Sequence, residues 1–323
     1  MVRPQTRRRM AAFAVLGALV LVSWRSWAQP PRRPDSPKPE PDFANIRYGP
    51  HERNVLDLWR AKPRSGKVGP TPLVVFFHGG GFRLGDKSSV PGWLVVKCLD
   101  AGISVASANY RLSDTAAFPA PMLDGARAIQ YLRSLAKEFG IDPGRIAASG
   151  SSAGAGIALW IGFHDDLADP RSPDPIARQS TRLTCLGVDG AQTSYDPRFI
   201  KKIVGGRAHE HAALKPFYGL SDPELDTPRA HKLYEEASPI NYASADDPPV
   251  ILFYAEPDDP LPADAKPGQG IHHPRFGAAL KAKLDPLGVE CIVRHTKEFP
   301  DPDDPKEREF REMTNFFVNH FRK

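Results

Sequence analysis

The chain is poor in cysteine, with three in 323 residues, and the three lie far apart in the sequence. Cys98, Cys185 and Cys291 show none of the close spacings that build a disulfide framework or a metal site. Each lies in an apolar stretch, which predicts buried thiols, and a single bridge between Cys185 and Cys291 is the alternative. The scarcity excludes a fold that depends on disulfides or on a cysteine-held metal.

Nucleotide signatures are also missing. Gly79–Gly81 lacks the G-x-G-x-x-G spacing of a dinucleotide site, and no Walker lysine is present. The net charge of +5 does not argue for a nucleic-acid partner, because residues 1–28 hold five of the 43 basic residues and none of the 38 acidic ones. The remainder carries 38 of each, so the sequence predicts no nucleic-acid binding.

The N-terminus lacks an apolar run long enough to cross a bilayer. Ala11–Val22 has about a dozen residues, whereas a spanning helix needs about 20. A basic run of three arginines at 7–9 precedes it, and the small residues Ser26 and Ala28 follow it, which is typical of a signal peptide. We therefore predict that residues 1–28 are cleaved near Ala28 and that the protein is exported, periplasmic or secreted, with no membrane span afterwards. An uncleaved anchor is the alternative, and either the Sec or the Tat route is open.

Residues 29–42 form a proline-rich linker, and residues 43–323 form a single domain in which predicted strands and helices alternate. Leu73–Phe77 and Val250–Tyr254 are continuous apolar runs, as central parallel strands are. Apolar residues recur every three or four positions in the intervening segments, which predicts helices. The fold class is therefore α/β, a mainly parallel doubly wound sheet with helices on both faces. Residues about 190–240 show only helical patterns and predict a helical insertion near the carboxyl edge of the sheet.

Two glycine motifs follow predicted strands. Gly150–Gly154 reads G-x-S-x-G, and a tight strand-to-helix turn of this kind needs tiny residues two positions either side of Ser152. The run His78-Gly79-Gly80-Gly81 follows another strand, where free backbone N–H groups can bind a ligand oxygen. An ordinary turn explains either motif alone. Both together, in this order, predict a serine hydrolase.

With NYRL at 109–112 and FPAP at 118–121, these motifs resemble the hormone-sensitive-lipase-like and bacterial feruloyl-esterase-like (acetyl esterase) branch of the α/β hydrolases. The resemblance extends from about residue 46 to the C-terminus. It implies that Ser152 is the nucleophile and that Gly80, Gly81 and Ala153 supply the oxyanion hole. It also implies carboxylesterase activity with no cofactor and no metal.

The resemblance places the catalytic acid in the loop that follows the penultimate strand. Residues 255–262 match this loop, and counting without a gap puts Asp258 at the acid position. Asp259 and Glu256 are the alternatives. The order of serine, then acid, then histidine fits a catalytic triad on this fold.

The histidine departs from the family pattern, because residues 300–302, where the family has it, contain none. His272 and His273 lie in the long loop after Asp258, and His295 lies at the end of the last predicted strand. A triad without a histidine is the remaining possibility. His78 precedes the glycines and is expected to hold the oxyanion loop rather than to act as the base.

The leading interpretation is an exported serine carboxylesterase that cleaves short acyl or aryl esters, on a small molecule or linked to a polysaccharide. A peptidase is the nearest alternative. The alternative from another class is a binding protein on the same fold that has lost the triad histidine.

Overall fold

The computed structural model describes residues 37–62, 69–299 and 305–322. The predicted signal peptide and the first part of the linker lie outside these residues. From residue 37 the linker has no regular structure but is held on the domain, where Trp59 Nε1 donates to the Pro39 carbonyl (2.7 Å). Lys38 Nζ donates to the Val90 carbonyl (3.1 Å).

The described part of the chain contains one eight-stranded sheet. Its strands are β1 (Phe43–Arg47), β2 (Val55–Trp59), β3 (Thr71–Phe77), β4 (Ser104–Ala108), β5 (Ile141–Ser151), β6 (Leu186–Asp189), β7 (Val250–Tyr254) and β8 (Cys291–His295). The order across the sheet is β1-β2-β4-β3-β5-β6-β7-β8. The strands β1 and β2 form an antiparallel edge pair, β2 is also antiparallel to β4, and β3 to β8 are parallel.

Helices cover both faces of the sheet. They are α1 (Gly92–Asp100), α2 (Ala120–Ser134), α3 (Ala136–Phe139), α4 (Ala153–Phe163), α5 (Pro197–Val204), α6 (Leu214–Tyr218), α7 (Pro228–Ala237), α8 (Arg275–Leu284) and α9 (Pro305–His320). No helix in the described part of the chain has the length and apolarity to cross a membrane.

Two apolar cores result from the alternation of side chains along β3. Leu73, Val75 and Phe77 pack on one face with residues of α2, α4 and α8. Val74 and Phe76 pack on the other face with residues of α1 and α9. Buried side chains on both faces explain why the strand reads as a continuous apolar run. The predicted doubly wound α/β fold is confirmed, and the helices α5 to α7 form the predicted insertion.

All three cysteines are buried. Cys98 and Cys291 are free thiols, so a bridge between Cys185 and Cys291 is not formed. Burial raises the pKa of both Cys98 and Cys291 to about 12. Such thiols are protonated at neutral pH and serve as apolar core residues.

Candidate active site

Ser152 lies in a strained turn between β5 and α4, with a φ of 52°. Such a φ is unfavourable for a residue with a side chain, and surrounding contacts must hold it. Its backbone N–H donates to the Asp189 carbonyl (2.9 Å). A Cβ at Gly150 would lie 2.4 Å from the Gly154 carbonyl, and a Cβ at Gly154 would lie 2.0 Å from the Phe77 carbonyl. Glycine is therefore required on both sides of the serine.

His272 contacts the serine. Its Nε2 lies 2.8 Å from Ser152 Oγ, within hydrogen-bond distance. The imidazole packs against Gly190, where a Cβ would lie 3.2 Å from the ring carbon Cγ. A nucleophile and a base in direct contact form the arrangement that activates a serine hydroxyl.

Glu256 lies on the other side of the His272 ring. Its Oε1 accepts the backbone N–H of His272 (3.2 Å) and lies 3.6 Å from His272 Nδ1. A carboxylate at this place favours a proton on Nδ1, which leaves Nε2 free to accept the proton of Ser152.

The structure does not bring Asp258, the acid expected from motif counting, to His272. Its side chain is 67% exposed, and its Oδ1 lies 3.8 Å from His273 Nδ1 and 3.9 Å from Arg275 Nε. Gap-free counting assumes the loop path of the relatives, whereas here Glu256, two residues beyond the end of β7, lies at the ring and Asp258 turns outward.

His273 and His295 hold the loop that carries Glu256 and Asp259. His273 is fully buried, and its Nε2 donates to the Asp259 carbonyl (3.1 Å). His295 Nε2 donates to the Glu256 carbonyl (2.9 Å). Since carbonyl oxygens only accept, both rings place a proton on Nε2. Neither ring is hydrogen-bonded to Ser152, so of the candidate histidines only His272 contacts the serine within the described part of the chain.

The glycine loop after β3 passes directly beside the serine. A Cβ at Gly79 would lie 3.3 Å from Ser152 Cβ. Gly80 has a φ of 118° and Gly81 a φ of 60°, and a Cβ at Gly80 would lie 2.1 Å from the Leu84 carbonyl. The three glycines therefore permit a close approach of backbone N–H groups that side chains would prevent.

Ala153 is the first residue of α4 and is buried next to Ser152. The first N–H groups of a helix have no partner within the helix, and the helix dipole favours negative charge at this end. The backbone N–H of Ala153 thus belongs to a site suited to a developing oxyanion.

His78 anchors the glycine loop. Its Nδ1 donates to the Gly79 carbonyl (2.8 Å), its Nε2 lies 3.2 Å from Arg53 Nη2, and its ring stacks on Tyr110 with centroids 4.3 Å apart. Burial, with a smaller effect of the Arg53 charge, lowers the pKa of His78 to about 4. A neutral ring can accept from Arg53 at Nε2, and a protonated ring cannot.

The low pKa of His78 predicts a loss of stability in acid. Between its unfolded pKa of about 6.5 and its folded pKa of about 4, the unfolded chain binds more protons than the folded chain. The free energy of unfolding should therefore fall by up to about 3 kcal/mol from this residue as the pH drops from 7 to 4. Urea unfolding at both pH values should show a smaller fall in His78→Asn than in the wild type. Equal falls would contradict the prediction.

A cavity of about 740 Å³ opens at the serine. Its walls combine the glycine loop, Ser152, His272 and side chains of the helical insertion. The apolar wall residues are Phe82, Ala213, Leu214, Phe217 and Ile271, and the polar ones are Gln192, Tyr195 and His211. Arg83, Leu84 and Asp114 are exposed where the cavity meets solvent.

His211 is partly buried in the wall of this cavity. Burial, and then the charges of His272 and Arg83, lower its pKa. Its Nδ1 accepts the backbone N–H of Ala213 (3.4 Å), so its proton lies on Nε2. Motif reading missed His211 and Gln192, because neither lies in a pattern that marks a site.

Comparison with known proteins agrees with this architecture. The BD-FAE family matches residues 56–266. Esterase LipQ of Mycobacterium tuberculosis is 27% identical over 238 residues, which are 71% of this chain and 53% of that relative. An AB hydrolase superfamily protein of Schizosaccharomyces pombe is 36% identical over 237 residues, 72% of this chain and 64% of that relative. The chain spans only about half to just under two thirds of the length of these relatives.

A solved structure described as a truncated form of a carbohydrate esterase from gut microbiota has a TM-score of 0.67 to this chain at 21% identity. The match covers 87% of this chain and 96% of that one. At this identity the likeness concerns the fold alone.

Proposed function

Since the chain belongs to the BD-FAE family and has the α/β-hydrolase fold, we propose that it is a serine carboxylesterase that cleaves short acyl or aryl esters. The observation that carries this proposal is the distance of 2.8 Å between Ser152 Oγ and His272 Nε2. The contact also counts against a binding protein that has lost its base, because that alternative rested on a missing histidine.

In the first half of the reaction, Ser152 Oγ attacks the ester carbonyl carbon while His272 Nε2 takes the hydroxyl proton. Negative charge develops on the carbonyl oxygen, and the backbone N–H groups of Gly80, Gly81 and Ala153 stabilise it. Collapse of the intermediate breaks the ester bond. The proton on His272 passes to the leaving alkoxide, and the alcohol departs, leaving an acyl group on Ser152.

In the second half, His272 takes a proton from a water molecule, and the resulting hydroxide attacks the acyl carbon. Ser152 leaves as its hydroxyl after His272 returns the proton. Glu256 replaces Asp258 as the acid in this proposal. Its carboxylate keeps the Nδ1 proton in place and stabilises the positive charge that His272 carries in each half.

Labelling with a fluorophosphonate tests this function. The probe phosphonylates an activated serine, so we expect a single adduct on Ser152, located by mass spectrometry of its peptide. The Ser152→Ala variant should remain unlabelled, and Ser151→Ala, a matched change at the adjacent position, should still be labelled. A folded wild type that neither reacts nor hydrolyses p-nitrophenyl acetate at neutral pH would refute the proposal.

The substrate class and location are parts of the same proposal. Because the structurally similar protein is described as a carbohydrate esterase, an ester linked to a sugar is a natural candidate, alongside small-molecule esters. We propose that the protein is exported, on the signal-like composition of residues 1–28. A mature chain beginning at Gln29 would support export, and a full-length chain in the cytoplasm would refute it.

A further inference from the structure

The segment after β6 forms a rigid part of the cavity wall. The Ala191 carbonyl accepts from the Tyr254 hydroxyl (2.9 Å), and the Thr193 hydroxyl donates to the Phe276 carbonyl (2.9 Å). These bonds attach the residues on both sides of position 192 to β7 and α8. The side chain at position 192 is therefore presented to the cavity from a fixed backbone.

Gln192 lies between these anchors and lines the cavity. The residue is only 9% exposed. No residue in the described ranges hydrogen-bonds its side-chain amide, whereas its neighbours Thr193 and Ser194 have bonded hydroxyls. Its amide atoms are open to the cavity, and a polar group of this kind in a largely apolar wall, bonded to no described residue, is available to a ligand that completes its hydrogen bonds.

The side-chain amide of Gln192 suits a hydroxyl group of a ligand better than a carboxylate or a phosphate. It offers a carbonyl acceptor and an N–H donor side by side, and a hydroxyl group is both donor and acceptor. A carboxylate or phosphate would be buried here without a cation, since Arg83 is exposed at the mouth of the cavity. The partly buried His211 adds one further N–H donor to the same cavity.

We propose that Gln192 is a specificity residue that hydrogen-bonds a hydroxyl group of the substrate close to the scissile ester. The proposal rests on the esterase function above. Gln192 lies near the reacting ester because Gly190, only two residues before it, packs against the ring of His272. A hydroxylated ester satisfies the amide, and an alkyl ester of the same shape leaves it without a partner, so the site favours the former.

Two matched ester pairs test the proposal and tell which side of the ester carries the hydroxyl. 2-Hydroxyethyl acetate and propyl acetate differ by a hydroxyl in the alcohol, and ethyl glycolate and ethyl propionate differ by a hydroxyl in the acyl group. We expect the wild type to prefer the hydroxylated member of at least one pair by about tenfold in kcat/KM. Gln192→Met should remove this preference, mainly through KM, because a methionine side chain has no N–H donor and leaves no amide unpaired when an alkyl ester binds.

Gln179→Met makes the same chemical change outside the cavity and should keep the wild-type preference. If the wild type hydrolyses both members of both pairs equally, the role of Gln192 is overturned while the esterase function stands. The same holds if Gln192→Met lowers kcat/KM equally for all four esters. Failure of the esterase function would look different, because the wild type would then hydrolyse none of the esters and would not react with the phosphonate.

Discussion

Replacing His272 with alanine should lower kcat/KM for p-nitrophenyl acetate by a factor on the order of 10⁴ to 10⁶, comparable to the loss of the nucleophile itself. The reason is the contact of 2.8 Å between His272 Nε2 and Ser152 Oγ, which no other described histidine makes. Without this acceptor the serine keeps its proton and is a weak nucleophile. Phosphonate labelling of Ser152 should disappear as well.

His273→Gln is the matched control for this change. The side-chain amide of glutamine can still donate to the Asp259 carbonyl, so the loop should keep its path and the rate should stay within about tenfold of the wild type. Urea unfolding shows whether either variant has lost stability. If His272→Ala stays within tenfold of the wild type while the His273 or His295 variant loses activity, the assigned base is wrong.

The two glycine motifs, which carry the proposed nucleophile and the proposed oxyanion hole, stand out in the sequence because local geometry dictates their residues. At Gly154 a Cβ would lie 2.0 Å from the Phe77 carbonyl, and at Gly80 it would lie 2.1 Å from the Leu84 carbonyl. Requirements of this kind appear in the sequence as glycines at set positions around a turn. They depend on a few neighbouring residues, which explains why a short motif is informative.

For the acid and the base of the proposed mechanism, the sequence leaves several candidates open. Residues 255–274, between β7 and α8, contain Glu256, Asp258, His272 and His273 but no long helix or strand. Periodicity fixes which side chains share a face, and an irregular loop has no periodicity. Its path depends on distant contacts, such as the bond from His295 on β8 to the Glu256 carbonyl.

The fold was easier to predict than the first and last residues of its strands. Apolar runs and helical spacing identified the central strands and the helices on both faces, whereas β5 begins at Ile141, five residues before the apolar run Ile146–Ala148. Its pairing with β3 is irregular here, since Thr71 pairs with Ile141 and Leu73 with Ile146. The bulge contains Pro143 and Gly144, which read as a turn in the sequence.

The proposed base and the proposed acid thus lie in a single loop, whereas the family pattern places the histidine in another loop, after the last strand. Two buried or partly buried histidines, His273 and His295, hold the backbone of Asp259 and Glu256. In the family pattern the histidine and the carboxylate that meet come from two loops, whereas here His272 and Glu256 come from the same loop. Its anchoring, more than its composition, decides which carboxylate meets His272.

Glu256→Gln should lower kcat/KM for p-nitrophenyl acetate by about 10² to 10⁴, and Asp258→Asn should change it by less than about threefold. Each change removes one negative charge and keeps the shape of the side chain. Glu256 Oε1 lies 3.6 Å from His272 Nδ1, while the Asp258 carboxylate is 67% exposed and lies near His273 and Arg275. Only the first carboxylate can stabilise the positive charge that His272 acquires during catalysis.

Phosphonate labelling separates a catalytic effect from unfolding in this pair. Glu256→Gln should still react at Ser152, but more slowly, because the serine and His272 remain in contact. An amide at position 256 can also donate to His272 Nδ1 and so favour the tautomer with its proton on Nε2, which cannot accept from the serine. A loss of rate confined to Asp258→Asn would instead return the acid to the position that motif counting indicates and would require a different path for residues 255–262.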